Sequence, residues 1–357
     1  MSEAKVPKLL IYGASSQVGA SVAVFLSQKK IAHCTCLLRN ANSSVFFEIN
    51  QIPFHIATTL SDEDLKLLIQ SHDAILDFTY PAGQANIILN TIKENMQNII
   101  SQMNCDQQYF HMSSIMAYGF PDGEKDLKHY KIPRTSYGYI KRKAELFAKK
   151  TGAKYNVPIY NFRLGQIHGF LQSVNTSYRG KLFSNTNIYL DGQANDKVNI
   201  IFINSLCYAI IDCIDNKYQP NVYTLINYPQ WTLQELYKYY TNTYELNPNI
   251  IYQPKLREKK QGNLKESILK LAKRYRPLLE TYVLFRLPLL YKKVKGKFRQ
   301  TSFNDVKNQF EYTDFHILGE PSTSIIKTKC SSLKEVAYSE EEMEKLYISA
   351  IENSSNG

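Results

Sequence analysis

The sequence predicts an α/β fold, a doubly wound parallel sheet followed by a smaller mixed C-terminal lobe. Short apolar runs alternate with amphipathic stretches through the first half, a glycine-bounded turn follows the first run, and the pattern loosens after Gly169. A chain of 357 residues with 44% apolar and 21% charged residues can bury a large core, which excludes wholesale disorder.

Apolar runs place strands at 8–12, 33–38, 53–57, 74–78, 109–112 and 159–164. Between them the spacing predicts helices. Val18, Val22 and Phe25 share one face of a helix over 17–28, and Ile140, Ala144 and Phe147 share one face of another over 137–151. Past Gly169, short strands at 198–203 and 222–226 mix with helices at 205–214 and 232–243, as in a lobe that covers a substrate. The expected division is a dinucleotide-binding domain over 1–169, a substrate lobe over 170–250, a basic helical extension over 251–330, and a C-terminal helix with a frayed tail over 331–357.

The net charge of +11 is local. Residues 255–299 hold fifteen Lys or Arg against three Glu, which leaves the rest of the chain about neutral. In 270–299 the basic residues interleave with Leu278, Leu279, Val283, Leu284, Phe285, Leu287, Leu289 and Leu290, and Pro277 and Pro288 break the run. Three readings stay open: a packed helical hairpin with a solvated basic face, peripheral contact with an anionic membrane surface, and binding of a substrate diphosphate or other anion. No nucleic-acid partner is expected, because no reading motif accompanies the charge. No signal-peptide pattern and no apolar run near the roughly 20 residues of a membrane span are present. The expectation is therefore a cytoplasmic enzyme, with membrane association through the basic segment as the variant. The six cysteines form no Cys-x-x-Cys pair and read as reduced, mostly buried thiols; no metal site is expected from them or from the seven scattered histidines.

The first strand runs into Gly13-Ala14-Ser15-Ser16-Gln17-Val18-Gly19 and then into a helix, so backbone amides at a helix N-terminus can face a pyrophosphate. The bland alternative is a plain strand-to-helix connection. About 20 residues on, the second strand ends at Arg39, where a dinucleotide site tests the adenosine ribose. A guanidinium matches the 2′-phosphate of NADP, whereas an acid would select NAD. Arg39 also reads as a solvated strand-end residue.

Tyr137-Gly138-Tyr139-Ile140-Lys141 puts Tyr137 and Lys141 one helical turn apart on one face. With a free pKa near about 10, tyrosine is too weak a base unless a nearby ammonium favours its phenolate. Ser114, in Ser113-Ser114-Ile115-Met116-Ala117-Tyr118-Gly119 after the fifth strand, can hydrogen-bond a substrate oxygen as charge develops. His168 reads as structural more readily than catalytic, and Arg163 as a support of the cleft.

Together the glycine turn, Ser-Ser-x-x-x-Tyr-Gly, Tyr-x-x-x-Lys, the 163–169 segment Arg-Leu-Gly-Gln-Ile-His-Gly and the 199–204 strand resemble the extended short-chain dehydrogenase/reductase family, in its nucleotide-sugar epimerase/dehydratase branch. The resemblance covers about residues 8–235. It implies a Rossmann-like fold with Tyr137 as general acid/base, Lys141 binding the nicotinamide ribose and lowering the tyrosine pKa, Ser114 orienting the substrate, and Thr79 and Tyr80 lining the cofactor. Ser15, Ser16, Gln17 and Val18 join Gly13, Gly19 and Arg39 in the implied cofactor site, with NADP preferred and NAD as the other choice. The implied partner is a nucleotide-sugar; the oligomeric state stays open, with a homodimer among the alternatives.

Departures narrow the expectation. Ser16 replaces the family's middle glycine, and Thr58 and Thr59 stand where an acid usually holds the adenine. Sugar 4,6-dehydratases carry Asp-Glu after the catalytic hydroxyl residue, because removing water needs a further acid and base; Ile115 and Met116 occupy those places. What remains is keto-sugar reduction, which Arg39 favours, or epimerisation through a transient ketone. The rival readings are a noncatalytic dinucleotide-binding sensor or assembly protein, which the joint presence of Ser114, Tyr137 and Lys141 opposes, and a reductase of a non-sugar ketone.

Overall fold

The computed structural model describes residues 6–118, 133, 135–169, 172, 182–183, 186–226, 230–243 and 245–253. The basic segment 255–299, the expected C-terminal helix and tail over 331–357, and Cys330 lie outside the described residues.

Seven parallel strands make the main sheet: β1 (Lys8–Tyr12), β2 (His33–Leu38), β3 (Phe54–Ile56), β4 (Ala74–Asp77), β5 (Gln108–Ser114), β6 (Ile159–Leu164) and β10 (Val222–Leu225), in the spatial order β10-β6-β5-β4-β1-β2-β3. The fold is the Rossmann-like doubly wound sheet that the alternating pattern predicts. Its direction of growth reverses between β1 and β4, and ligands of such sheets sit beyond the carboxyl ends of the strands at that reversal. One strand differs from the sequence reading: 222–226 was expected in the substrate lobe, and β10 instead pairs with β6 from Val222 beside Asn161 to Leu225 beside Leu164. Tyr223, Thr224 and Leu225 are all buried, as both faces of a parallel strand are when helices cover the sheet.

Helices cover both faces. On one side α1 (Gln17–Gln28) packs against α6 (Ile203–Ile214), with Phe25 edge-on to Tyr208. On the other lie α3 (Asp62–Gln70), α4 (Ala85–Ile100) and α5 (Ser136–Tyr155), and the core between them and the sheet includes Leu10, Ile75, Tyr109, Met96, Ile140 and Ala144. The short α2 (Ser44–Ile49) follows β2. Thr135 starts α5 by accepting the Gly138 amide at 3.0 Å, and Asn156 ends it in the left-handed conformation.

The lobe contains two parallel strand pairs, β7 (Gln166–His168) with β9 (Ile200–Phe202) and β8 (Asn187–Asp191) with β11 (Asn249–Gln253), packed with α7 (Leu233–Thr243) around Val198, Phe202, Leu236 and Tyr240. The side chain of Gln172 ties this part of the chain to α1, donating to Gln17 O at 3.1 Å and Ser21 Oγ at 3.0 Å. Among the described residues no helix is long and apolar enough to cross a membrane. Cys34, Cys36, Cys207 and Cys213 are buried free thiols as expected, and Cys105 is exposed.

Candidate active site

β1 delivers Gly13 to the reversal point. Its φ of +75° is open to glycine, and a Cβ there would lie 2.9 Å from both the Phe78 carbonyl carbon and the Thr79 amide nitrogen. The turn after it is closed by the Ser16 amide donating to Gly13 O at 3.0 Å, and Ser16 Oγ caps α1 by accepting the Gly19 amide at 3.1 Å. Ser16 is extended (φ −73°, ψ 154°), so this position does not demand glycine, and the departure from the family pattern is absorbed by helix capping.

On the neighbouring strands a charged network runs beneath the cleft. Asp77, the last residue of β4, is 2% exposed and accepts hydrogen bonds from the Thr79 amide (2.8 Å), Thr79 Oγ1 (2.6 Å) and Tyr109 OH (2.5 Å). Burial raises its pKa, and those three donors and the Lys141 ammonium pull it back down. Lys141 is buried on α5, donates to Met112 O at 2.7 Å, and stands 5.1 Å from the centre of the Tyr80 ring and 5.9 Å from that of Tyr137. Burial pushes its pKa down to about 8, against the opposing charges of Asp77 and Glu145.

Glu145, one turn along α5, accepts from Ser113 Oγ at 2.5 Å and from Arg163 in a fork, Nε at 2.9 Å and a terminal nitrogen at 2.7 Å. Burial pushes the carboxyl up to about 7, opposed by Ser113, Arg142 and Lys141. The bidentate guanidinium favours the carboxylate further, so we take Glu145 as ionised at neutral pH. The arginine expected to support the cleft thus does so by anchoring α5 to β6.

Above this layer sit the hydroxyls of Tyr137, Ser114 and Tyr80. Tyr137 opens α5 and keeps 37% of its surface exposed, yet enough protein surrounds the phenol that desolvation raises its pKa. A hydrogen bond with Ser114 acts in the opposite sense and favours the phenolate. Ser114 ends β5, and its Oγ also accepts the Met116 amide at 3.2 Å. Tyr80 tilts against Tyr137 at 5.3 Å between ring centres, and burial pushes its own phenol up to about 12. Gly138 makes the arrangement possible, because a Cβ there would collide with the Met116 carbonyl; its absence seats the first turn of α5 on the segment that follows Ser114.

Ser114, Tyr137, Lys141 and Tyr80, proposed from the sequence, therefore converge. Thr79 differs in detail: its hydroxyl is bonded to Asp77. Arg39 is exposed just past the end of β2, and Thr59 Oγ1 folds back on Ile56 O at 2.9 Å. His168 is fully buried in the lobe, its Nδ1 2.5 Å from Tyr240 OH and its Nε2 3.0 Å from Gln166 Oε1, with its pKa pushed down by burial to about 3. It is a neutral packing residue. Asp77 and Glu145 escaped the sequence reading; an acid closing the apolar run Ala74-Ile75-Leu76 was the available signal for the first.

The family model described as "NAD dependent epimerase/dehydratase family" matches residues 9–211. The chain belongs to this family. It is an enzyme of the extended short-chain dehydrogenase/reductase type, built to use a nicotinamide cofactor. Among solved structures it is similar to UDP-N-acetylglucosamine 4-epimerase from Bacillus cereus, at 16% identity and a TM-score of 0.56, covering 71% of this chain and 87% of that one. The UDP-N-acetylglucosamine 4-epimerase from Methanobrevibacter ruminantium M1, solved with UDP-N-acetylmuramic acid, aligns at 13% identity and a TM-score of 0.54 over 78% of this chain and 99% of that one. MoeE5, solved with UDP-glucose and NAD, aligns at 13% identity and a TM-score of 0.51 over 76% and 99% of the two chains. At such identities the likeness is one of fold. No protein of curated function matches the sequence.

Proposed function

We propose that this member of the family transfers hydride at a carbinol carbon of a nucleotide-linked sugar, inverting that centre through a transient ketone. The observation that carries the reading is the convergence of Tyr137, Ser114 and Lys141 at the carboxyl end of β5, one strand from the sheet's reversal next to β4. The turn fits a dinucleotide: the lack of a Cβ at Gly13 lets it close tightly on the Phe78 and Thr79 backbone, and it leads into the N-terminus of a 12-residue helix whose amides suit a pyrophosphate. Ser15, Ser16, Gln17 and Val18 would hold the pyrophosphate, Arg39 the adenosine ribose, and Tyr80, Tyr137 and Lys141 the nicotinamide end. When bound, the nicotinamide ring supplies the hydride acceptor and donor.

The chain's own residues manage the proton. Tyr137 takes the proton of the sugar hydroxyl as the carbonyl forms and returns it on reduction. Lys141 favours the phenolate by its charge, and Ser114 by its hydrogen bond. Ser114 also orients the substrate oxygen. The charges of Asp77 and Glu145 favour the Lys141 ammonium and offset part of the cost of burying it.

Arg39 supports a second reading, an NADP-preferring keto-sugar reductase, since a guanidinium suits a 2′-phosphate. The two separate in one experiment. The purified chain is incubated with a panel of UDP-, dTDP- and GDP-hexoses and followed by proton NMR, with catalytic NAD(H) or with stoichiometric NADPH. Inversion at one carbinol without net consumption of cofactor supports the epimerase; stoichiometric NADPH consumption supports the reductase. Neither, over the whole panel, overturns the nucleotide-sugar assignment.

A further inference from the structure

Behind Lys141 the sheet carries polar groups that the proton-transfer scheme leaves unused. Tyr12, Asp77, His111 and Asn161 stand in register on β1, β4, β5 and β6, so their side chains form one row on the α4 and α5 side of the sheet. His111 is 1% exposed and Asn161 2% exposed. Both imidazole nitrogens of His111 and the Oδ1 of Asn161 are buried with no hydrogen-bond partner. Burial holds the imidazole neutral, well below its usual pKa, and the Lys141 charge adds to that. A neutral imidazole has one N–H and one acceptor nitrogen, and the neighbouring amide oxygen needs a donor. Two adjacent orphans of complementary sense, neither reaching the other, are the groups an internal water joins. Lys141, near enough for its charge to act on the ring, spends one of its three ammonium hydrogens on Met112 O and has two more to place.

We propose that Lys141, His111 and Asn161 share a buried water site in which the water satisfies the imidazole and the amide and gives the Lys141 ammonium a further acceptor, making His111 a positioning residue for the Tyr137–Lys141 pair. The groups that set the charge on Lys141 are then Asp77 from β4, Glu145 from its own helix, His111 with its water from β5, and the Tyr80 and Tyr137 rings, with Arg163 on β6 acting through Glu145. The inference rests on the role given above to Tyr137 and Lys141, but its test needs neither substrate nor cofactor.

The test is NMR on the whole chain labelled at histidine and lysine, comparing the wild type with His111→Leu, His111→Gln and Asn161→Val, the Lys141 signal being assigned with Lys141→Met. Expected in the wild type is a neutral His111 imidazole whose N–H exchanges magnetisation with a long-lived internal water. The Lys141 amine should titrate near 8, fall by about one pH unit in His111→Leu and Asn161→Val, and recover in His111→Gln, which restores a donor and an acceptor. His111→Leu should fold, since leucine suits the interior of a parallel strand; Asn161→Val tests the other wall independently. A His111 that titrates in the ordinary histidine range, a ring N–H without a water contact, or a Lys141 titration unchanged in both variants would overturn the proposal. An enzyme inert towards every nucleotide-sugar would count against the proposed reaction and leave these measurements standing.

Discussion

Lys141 should weaken the fold that it serves, and the pH dependence of stability can expose this. Unfolded, its amine titrates near 10.5; folded, near 8. Between those values the unfolded chain holds a proton that the folded chain has released, so raising the pH favours the folded state. At about 1.4 kcal/mol per pH unit, the cost of burying the charge comes to about 3 kcal/mol near neutral pH. Lys141 is only 6% exposed, so solvent screening removes little of this. Lys141→Met relieves the cost but strips Asp77 and Glu145 of a neighbouring cation, so the absolute stability change of the variant is not the clean observable. The slope is. Between pH 8 and 10.5 the amine of Lys141 titrates in the wild type and is absent from the variant, so the difference in slope reports that amine. Urea unfolding in steps from pH 8 to 10.5 should therefore show the wild type gaining about 2 to 3 kcal/mol relative to Lys141→Met. Parallel curves would refute the claim that Lys141 is buried as a charged group.

Other consequences are as direct. Tyr137→Phe should lower turnover by at least about 100-fold while cofactor affinity by calorimetry changes little, because general acid/base contributions are of that size. Glu145→Ala leaves the Arg163 guanidinium buried without its forked partner and should cost about 3 to 5 kcal/mol in urea unfolding; a change under about 1 kcal/mol would show that the pair adds little. Gly13→Ala forces a side chain into a φ of +75° and onto the Phe78 and Thr79 backbone; it should destabilise by about 1 to 3 kcal/mol and weaken dinucleotide binding. Arg39→Ala should lower NADPH affinity by about tenfold and leave NADH affinity within about twofold, if the guanidinium reads the 2′-phosphate.

Much of this arrangement was legible in the chain. The Rossmann-like sheet could be read because buried parallel strands appear as short apolar runs, and the helices because Val18, Val22 and Phe25 keep helical spacing. The convergence of Ser114, Tyr137 and Lys141 was readable because one residue closes the fifth strand and the other two stand one turn apart on the helix that follows. What escaped depends on tertiary placement. The 222–226 run looks the same whether it pairs with β6 or closes a lobe, and only the packing that buries Thr224 between apolar neighbours decides. Asp77 gains meaning only where β4 and α5 bring it near Lys141, and Glu145, one turn from Lys141, only where β5 and β6 bring Ser113 and Arg163 onto its carboxylate. His111 gave no signal, since a histidine within an apolar strand differs little from the aromatic and aliphatic residues around it.

The central claim, that the cleft at the end of β1 takes a nicotinamide dinucleotide onto Tyr137 and Lys141, is tested most directly by calorimetric titration of the purified chain with NADPH and NADH, after absorbance and mass spectrometry have checked for cofactor already held. The account predicts binding at one site per chain, retained in Tyr137→Phe and lost or much weakened in Gly13→Ala. Absence of bound cofactor together with no heat from either nucleotide would contradict it.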